Sequence, residues 1–144
     1  MAKFKFRLQP VIMVKEIQEK KIERDLALIK KSILQGEEHL DQLNEERDRL
    51  VSSTPLEGKV RAAEMIVRQD YYRRISDEIH FENSNLQRLA QSETKKIDEA
   101  LDVKKDKEAI EKLRERRLEE FKREEDKREQ ILIDSLAQRL SMQG

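Results

Sequence analysis

Ile22, Leu26, Ile29, Ile33, Gly36, Leu40, Leu43, Arg47 and Leu50 follow one another at alternating steps of four and three residues. All but Gly36 and Arg47 are aliphatic, and most of what lies between them is charged or polar. A helix of 3.6 residues per turn places such positions in one narrow stripe, the seam by which one helix lies along another. Pro10 suits the first turn of that helix, where a missing N–H costs nothing. From Pro10 to Val51 only Gly36 interrupts good helix formers, at about 1 kcal/mol against alanine, and its place on the seam fits close approach of a partner backbone.

The helix stops at Ser52-Ser53-Thr54-Pro55-Leu56-Glu57-Gly58. Thr54 with Glu57 reads as a capping box and Pro55 as the first helical position, so a second helix starts almost at once. A connection this short makes the two helices antiparallel neighbours. The second helix meets no further Gly or Pro until Gly144, and its first half carries a seam of Val60, Ala63, Val67, Tyr71, Ile75, Leu86, Leu89, Ile97 and Leu101. Positions 56–101 match the length of the first helix, roughly 60–70 Å each. Beyond Leu101 the first helix has nothing left to offer as cover. There, from Asp102 to Glu129, most residues are charged, before Ile131, Leu132, Ile133, Leu136 and Leu140 turn apolar again.

The expected fold is therefore all-α: two long helices in an antiparallel coiled-coil hairpin, the second longer and overhanging. It forms a single domain over residues 1–144, with a helix at about 10–51, a turn at about 52–56 and a helix at about 57–141.

Composition changes what such a chain can do. Of its 144 residues 43% are charged and only 4% aromatic, and mean hydropathy is −0.92, too polar to wrap a thick core. Yet the 31 basic and 31 acidic side chains cancel and the apolar minority is periodic, which separates the chain from disordered polyelectrolytes. A nucleic-acid binder needs a basic face, and the balance disfavours one. Without cysteine there is no disulfide framework or thiolate metal site. The longest apolar run, Val11–Val14, falls far short of a bilayer span. Met1–Lys15 holds Lys3, Lys5, Arg7 and Lys15 and no acid, as a targeting segment would, but Pro10 breaks its apolar stretch and no small-residue cleavage site follows. A cytoplasmic protein is expected.

Catalytic chemistry finds no foothold. Carboxylate pairs such as Glu45–Glu46 and Glu119–Glu120 need burial to act at neutral pH, and a two-helix hairpin offers none. His39 and His80 lack the four-residue spacing of the zinc helix motif. Scattered glycines cannot cradle a phosphate. Neither enzyme activity nor a cofactor or metal is expected. One segment stands out instead. Lys3, Lys5 and Arg7 alternate with Phe4, Phe6 and Leu8, a pattern that fits a protein-docking patch, simple end-packing, or a lipid- or nucleic-acid-facing element.

Two stretches carry a resemblance. Phe4-Lys5-Phe6-Arg7-Leu8-Gln9-Pro10-Val11 is similar to the F-x-F-R-L-x-x-[LV] opening of FliJ-type flagellar export proteins. The tail, from Lys107-Glu108-Ala109-Ile110-Glu111-Lys112-Leu113 through Glu119–Glu129 to Leu136-Ala137-Gln138-Arg139, resembles the charged family tail that closes in A-Q-R. Asp134-Ser135 departs from the D-E that often precedes that element.

The resemblance implies a cytoplasmic component of the flagellar type III export apparatus, held at the inner face of the cell membrane only through its partners. Those partners would be the export ATPase ring, whose assembly and activity it promotes, the cytoplasmic domain of the export gate, and export chaperones; no nucleic acid is implied. Mapped onto this chain, the ATPase end comprises Phe4, Phe6, Arg7 and Leu8 with Gln138 and Arg139 on the tail. The gate end comprises Leu43, Glu46 and Leu50 opposite Tyr71 and Ile75. The alternative is a generic structural or dimerising coiled-coil scaffold, with Ser52–Gly58 as a kink in a parallel two-chain rod.

Overall fold

The computed structural model describes residues 2–53 and 61–143. They form two α-helices, α1 (Gln9–Ser52) and α2 (Ala62–Gln143), packed against each other. Among the described residues there is no strand. The capping box at Thr54 and Glu57, and Pro55, lie outside the described residues. Local chemistry explains the ends that are described. Pro10 occupies the first turn of α1, and the amides of Gln9 and Val11 reach back to the carbonyls of Phe6 and Leu8 at 3.2 and 3.0 Å. At the far end the Ser52 and Ser53 hydroxyls donate to the carbonyls of Arg49 and Leu50, and the Ser53 amide also reaches the Arg49 carbonyl at 2.9 Å. Glu64, in the first turn of α2, complements the positive end of the helix dipole.

The chain divides into two compact units, residues 21–100 and residues 1–20 with 101–144. In the first, Arg68 Nη1 donates to the Ser53 carbonyl at 3.2 Å, Tyr71 meets Glu46, His39 meets Glu82, and Lys96 pairs with Asp25 at 3.4 Å. As the α1 partner moves towards the N-terminus its α2 partner moves towards the C-terminus, so the pairing is antiparallel. The seam read from the sequence is the buried stripe of α1: Ile22, Gly36 and Leu43 are buried, and Leu26, Ile29, Ile33, Leu40, Arg47 and Leu50 are half-buried. Leu43 packs with Ile75 and Ile79, with Leu40 and Leu50 against them. Each such aliphatic contributes on the order of 1.5–3 kcal/mol by burial, so an aspartate at Leu43 would open this part of the pair.

The α2 seam differs from the sequence reading beyond Leu89. Strict steps of four and three from Ile75 run through Ile79, Glu82, Leu86, Leu89, Glu93, Lys96 and Ala100, all buried or half-buried. Ile97 and Leu101 stand one residue off this stripe and are exposed. Helix geometry, not hydrophobicity, decides which residues face the partner, so polar side chains occupy seam positions there. Before Ile75 the expected seam is exposed as well, at Ala63, Val67 and Tyr71, and Val60 lies outside the described residues.

In the second unit Lys15 pairs with Asp106 at 3.3 Å and Lys107 with Glu19 at 3.5 Å. Phe4 stacks on Phe121 with ring centroids 5.6 Å apart. Ile12 is buried, while Val103, Ile110, Leu113 and Leu118 are half-buried. The expectation that α2 is uncovered from Asp102 onward is corrected by these contacts. In residues 21–100 the pairing also lies later on α2 than the sequence suggests, with Arg68 against Ser53. The overhang begins past Glu125: every described residue from 126 to 143 is exposed.

Candidate functional site

Residues 2–6 precede α1 without helical structure and Arg7–Leu8 form a turn, with side chains that fall alternately to opposite sides. Phe4, Phe6 and Leu8 are accordingly half-buried while Lys3, Lys5 and Arg7 are exposed. Phe4 is held by the Phe121 ring, tilted 51° to its own, and by the Arg114 guanidinium 5.8 Å from its centroid. Such a cation–π contact contributes about 0.5–1 kcal/mol near the surface. Between this segment and α2 runs a groove of about 760 Å³, lined by residues 3–8 together with Leu113, Arg117, Glu120, Phe121 and Glu124. Its lining combines the apolar side chains of Phe4, Phe6, Leu8, Leu113 and Phe121 with charged groups of both signs.

Gln138 and Arg139 are exposed on the overhang, about 25 Å further along α2 than Phe121. The N-terminal segment packs on the stretch from Leu113 to Glu124, so the six residues assigned to the ATPase end form two separate places on this unit.

At the other group, Leu43 and Ile75 keep only 4% and 3% of their surface. They support the patch from below and present nothing to a partner. Leu50 is half-buried and packs on their cluster. Tyr71 Oη donates to Glu46 Oε1 at 2.5 Å across the edge of the seam. That hydrogen bond, with desolvation and the charges of Glu46 and Glu78, raises the phenol above its ordinary 10.0. Glu46, Arg49, Leu50, Ser52, Ser53 and Tyr71 line a shallow depression here.

One constellation is absent from the sequence reading. Glu82 is buried, with 9% of its surface exposed, and lies over Gly36, where a Cβ would meet Glu82 Oε1 at 2.8 Å and Leu86 Cδ2 at 2.7 Å. His39 Nδ1 donates to Glu82 Oε2 at 3.2 Å. Gly36 thus admits side chains of α2, not its backbone. The signal was available: Glu82 falls on the step between Ile75 and Leu86 that a regular seam must occupy. His39 therefore meets a carboxylate, and His80 is exposed. Among the described residues no group of three or more His, Asp or Glu side chains could hold a metal ion, and no helix is long and apolar enough to cross a membrane.

Residues 21–100 are thus an antiparallel helix pair, and in the other unit α2 runs on past its partner beside an open groove of mixed charge where the first residues dock. The chain belongs to the FliJ family: the model of the flagellar FliJ protein matches residues 4–144. Membership makes it a component of the flagellar export apparatus, a family of export components not known for catalysis. No curated protein and no solved structure matches the chain significantly.

Proposed function

We propose that this chain, acting as one coiled-coil domain, binds the export ATPase ring, promotes its assembly and activity, and links it to the cytoplasmic domain of the export gate and to export chaperones. The family match across residues 4–144 carries this reading. The protein works by contact and not by catalysis, needs no cofactor, and is held at the cytoplasmic face of the membrane by its partners.

On the ATPase side the contacts are Arg7, Gln138 and Arg139, which are exposed, and the outer edges of Phe4, Phe6 and Leu8 around the groove. On the gate side they are Glu46, Leu50 and Tyr71, supported by Leu43 and Ile75. Exposed ion pairs of this kind contribute about 0–1 kcal/mol each, so binding is spread over many weak, salt-sensitive contacts. Such a component can turn or re-seat without breaking one dominant bond.

The test is the ATP hydrolysis rate of the export ATPase from the same organism, with and without this chain, at several salt concentrations. Stimulation that accompanies ring assembly and weakens with salt is expected. A helical chain that neither binds nor stimulates would overturn the reading and leave a structural coiled coil.

A further inference from the structure

In the helix pair of residues 21–100, Glu82 is buried against the one seam position of α1 that has no side chain. A Cβ on Gly36 would meet its Oε1 at 2.8 Å and Leu86 Cδ2 at 2.7 Å. His39, one turn further on, donates from Nδ1 to Glu82 Oε2 at 3.2 Å. Every other seam position from Ile22 to Leu50 is filled by leucine, isoleucine or arginine. Room for the carboxylate and a ring nitrogen to meet it therefore coincide only here.

The aliphatic residues choose only weakly among registers. Both seams advance in steps of four and three, so a slide of seven residues sets aliphatic against aliphatic again. Ile75 and Ile79 would pass from Leu43 to Leu50 in one direction, and Leu86 from Gly36 to Ile29 in the other. Ion pairs such as Lys96–Asp25 change with the slide, but they are partly exposed and weigh little. Glu82 discriminates sharply. Moved one way it lies over Leu43 beside Glu46, a like charge; moved the other way it lies over Ile29 beside Ser32. Either slide drives a carboxylate into space that a side chain already fills, and a buried acid stripped of its partner is costly. We infer that Glu82, seated over Gly36 and bonded to His39, selects a single register for this helix pair. A surface shared by both helices depends on that choice. Glu46 and Leu50 of α1 stand with Tyr71 of α2 in this register alone, since a slide would set Tyr71 beside Ser53 or His39. The inference needs none of the partners proposed above.

The chain has no cysteine, so Glu38→Cys/Asp98→Cys in the full-length protein puts one spin label on an exposed position of each helix. The two stand about 22 Å apart along the pair, and a slide of one heptad changes that by about 10 Å. Pulsed electron paramagnetic resonance of this labelled parent should give one distance. Adding Glu82→Leu should leave helix content intact and Tm unchanged or raised, yet introduce a second population shifted by about 10 Å. Glu93→Leu, at another half-buried polar position of the α2 seam, is the control and should keep one distance. Exchanging Ile29 with Gly36 and Ser32 with His39 (Ile29→Gly/Ser32→His/Gly36→Ile/His39→Ser) keeps the composition and moves the seat by one heptad. The distance in that chain should lengthen by about 10 Å. One unshifted distance in Glu82→Leu, or in the exchanged chain, would overturn the inference. Two populations in the labelled parent or in Glu93→Leu would overturn it too, because the register would then not hang on Glu82.

Discussion

Gly36 and Leu86 stand so close that a methyl group on the glycine would lie 2.7 Å from Leu86 Cδ2. The helices meet there through a side chain of α2 resting on bare backbone of α1. Gly36→Ala gains about 1 kcal/mol of helix propensity but must displace the ends of Leu86 and Glu82. The two effects should nearly cancel in the parent. In a Leu86→Ala background only the Glu82 carboxylate is left to be displaced, and the same substitution should be more favourable than in the parent. A double-mutant cycle by urea unfolding should report a coupling on the order of 1 kcal/mol; additivity would show that the contact carries no strain.

Glu82 is a buried acid whose interhelical hydrogen bond comes from His39. Removing the donor with His39→Ala should destabilise the pair by about 1–3 kcal/mol, the usual penalty for a buried polar atom left unmatched. Replacing the acid itself, Glu82→Leu, should be neutral or stabilising by about 1–4 kcal/mol. Opposite signs in thermal unfolding are the expected outcome, and a loss for both would mean that the carboxylate contributes net stability.

Tyr71 offers a titration test. Its phenol is raised above 10.0, first by the hydrogen bond it donates to Glu46 and then by desolvation and nearby carboxylates. A group whose folded value lies above its unfolded one stabilises fully below the unfolded value, and loses that contribution as pH rises through the folded value. The Tyr71–Glu46 contact should therefore be intact at neutral pH and weaken only above about pH 10. Ultraviolet titration in a Tyr72→Phe background should place Tyr71 above ordinary tyrosine, and Glu46→Gln should bring it down.

Much of the hairpin could be read from the four-and-three spacing, because Leu43, Gly36 and Ile22 lie where a helix must turn them inward. The sequence misled where a hydrophobic residue was assumed to be an inward one. Ile97 and Leu101 are outside the seam, and Lys96 and Lys107 are in it, since their long apolar stems cover the partner while the ammonium reaches Asp25 or Glu19. The depth of the overhang was hidden for a different reason: it depends on the pairing offset, seen in Lys15 against Asp106, which no periodicity encodes. At the N-terminal end the alternation of Phe4, Phe6 and Leu8 with cations was plain. That Phe121 and Arg114 would receive Phe4 required the register as well.

The Phe4–Phe121 contact makes the order of the first residues depend on one ring of α2. Phe121→Ala should loosen residues 2–8 at a loss of about 0.5–1.5 kcal/mol beyond the buried area. Limited trypsin digestion should then cut faster after Lys3, Lys5 and Arg7 while α1 beyond Pro10 stays protected. Unchanged cleavage would show that the segment is held by its backbone alone.

The antiparallel arrangement of residues 21–100 also sets a schedule. Ser53 and Arg68 are 15 residues apart in the chain, Glu46 and Tyr71 25, and His39 and Glu82 43. The entropy lost on closing a loop grows with its length, so the pair nearest the turn closes first and each closure shortens the search for the next. During synthesis Leu43 leaves the ribosome before Ile75 and Ile79 have emerged to cover it, and the dense charge between the seam positions keeps that waiting helix from finding strangers. Residues 21–100 are a zipper that starts most readily where Ser53 meets Arg68.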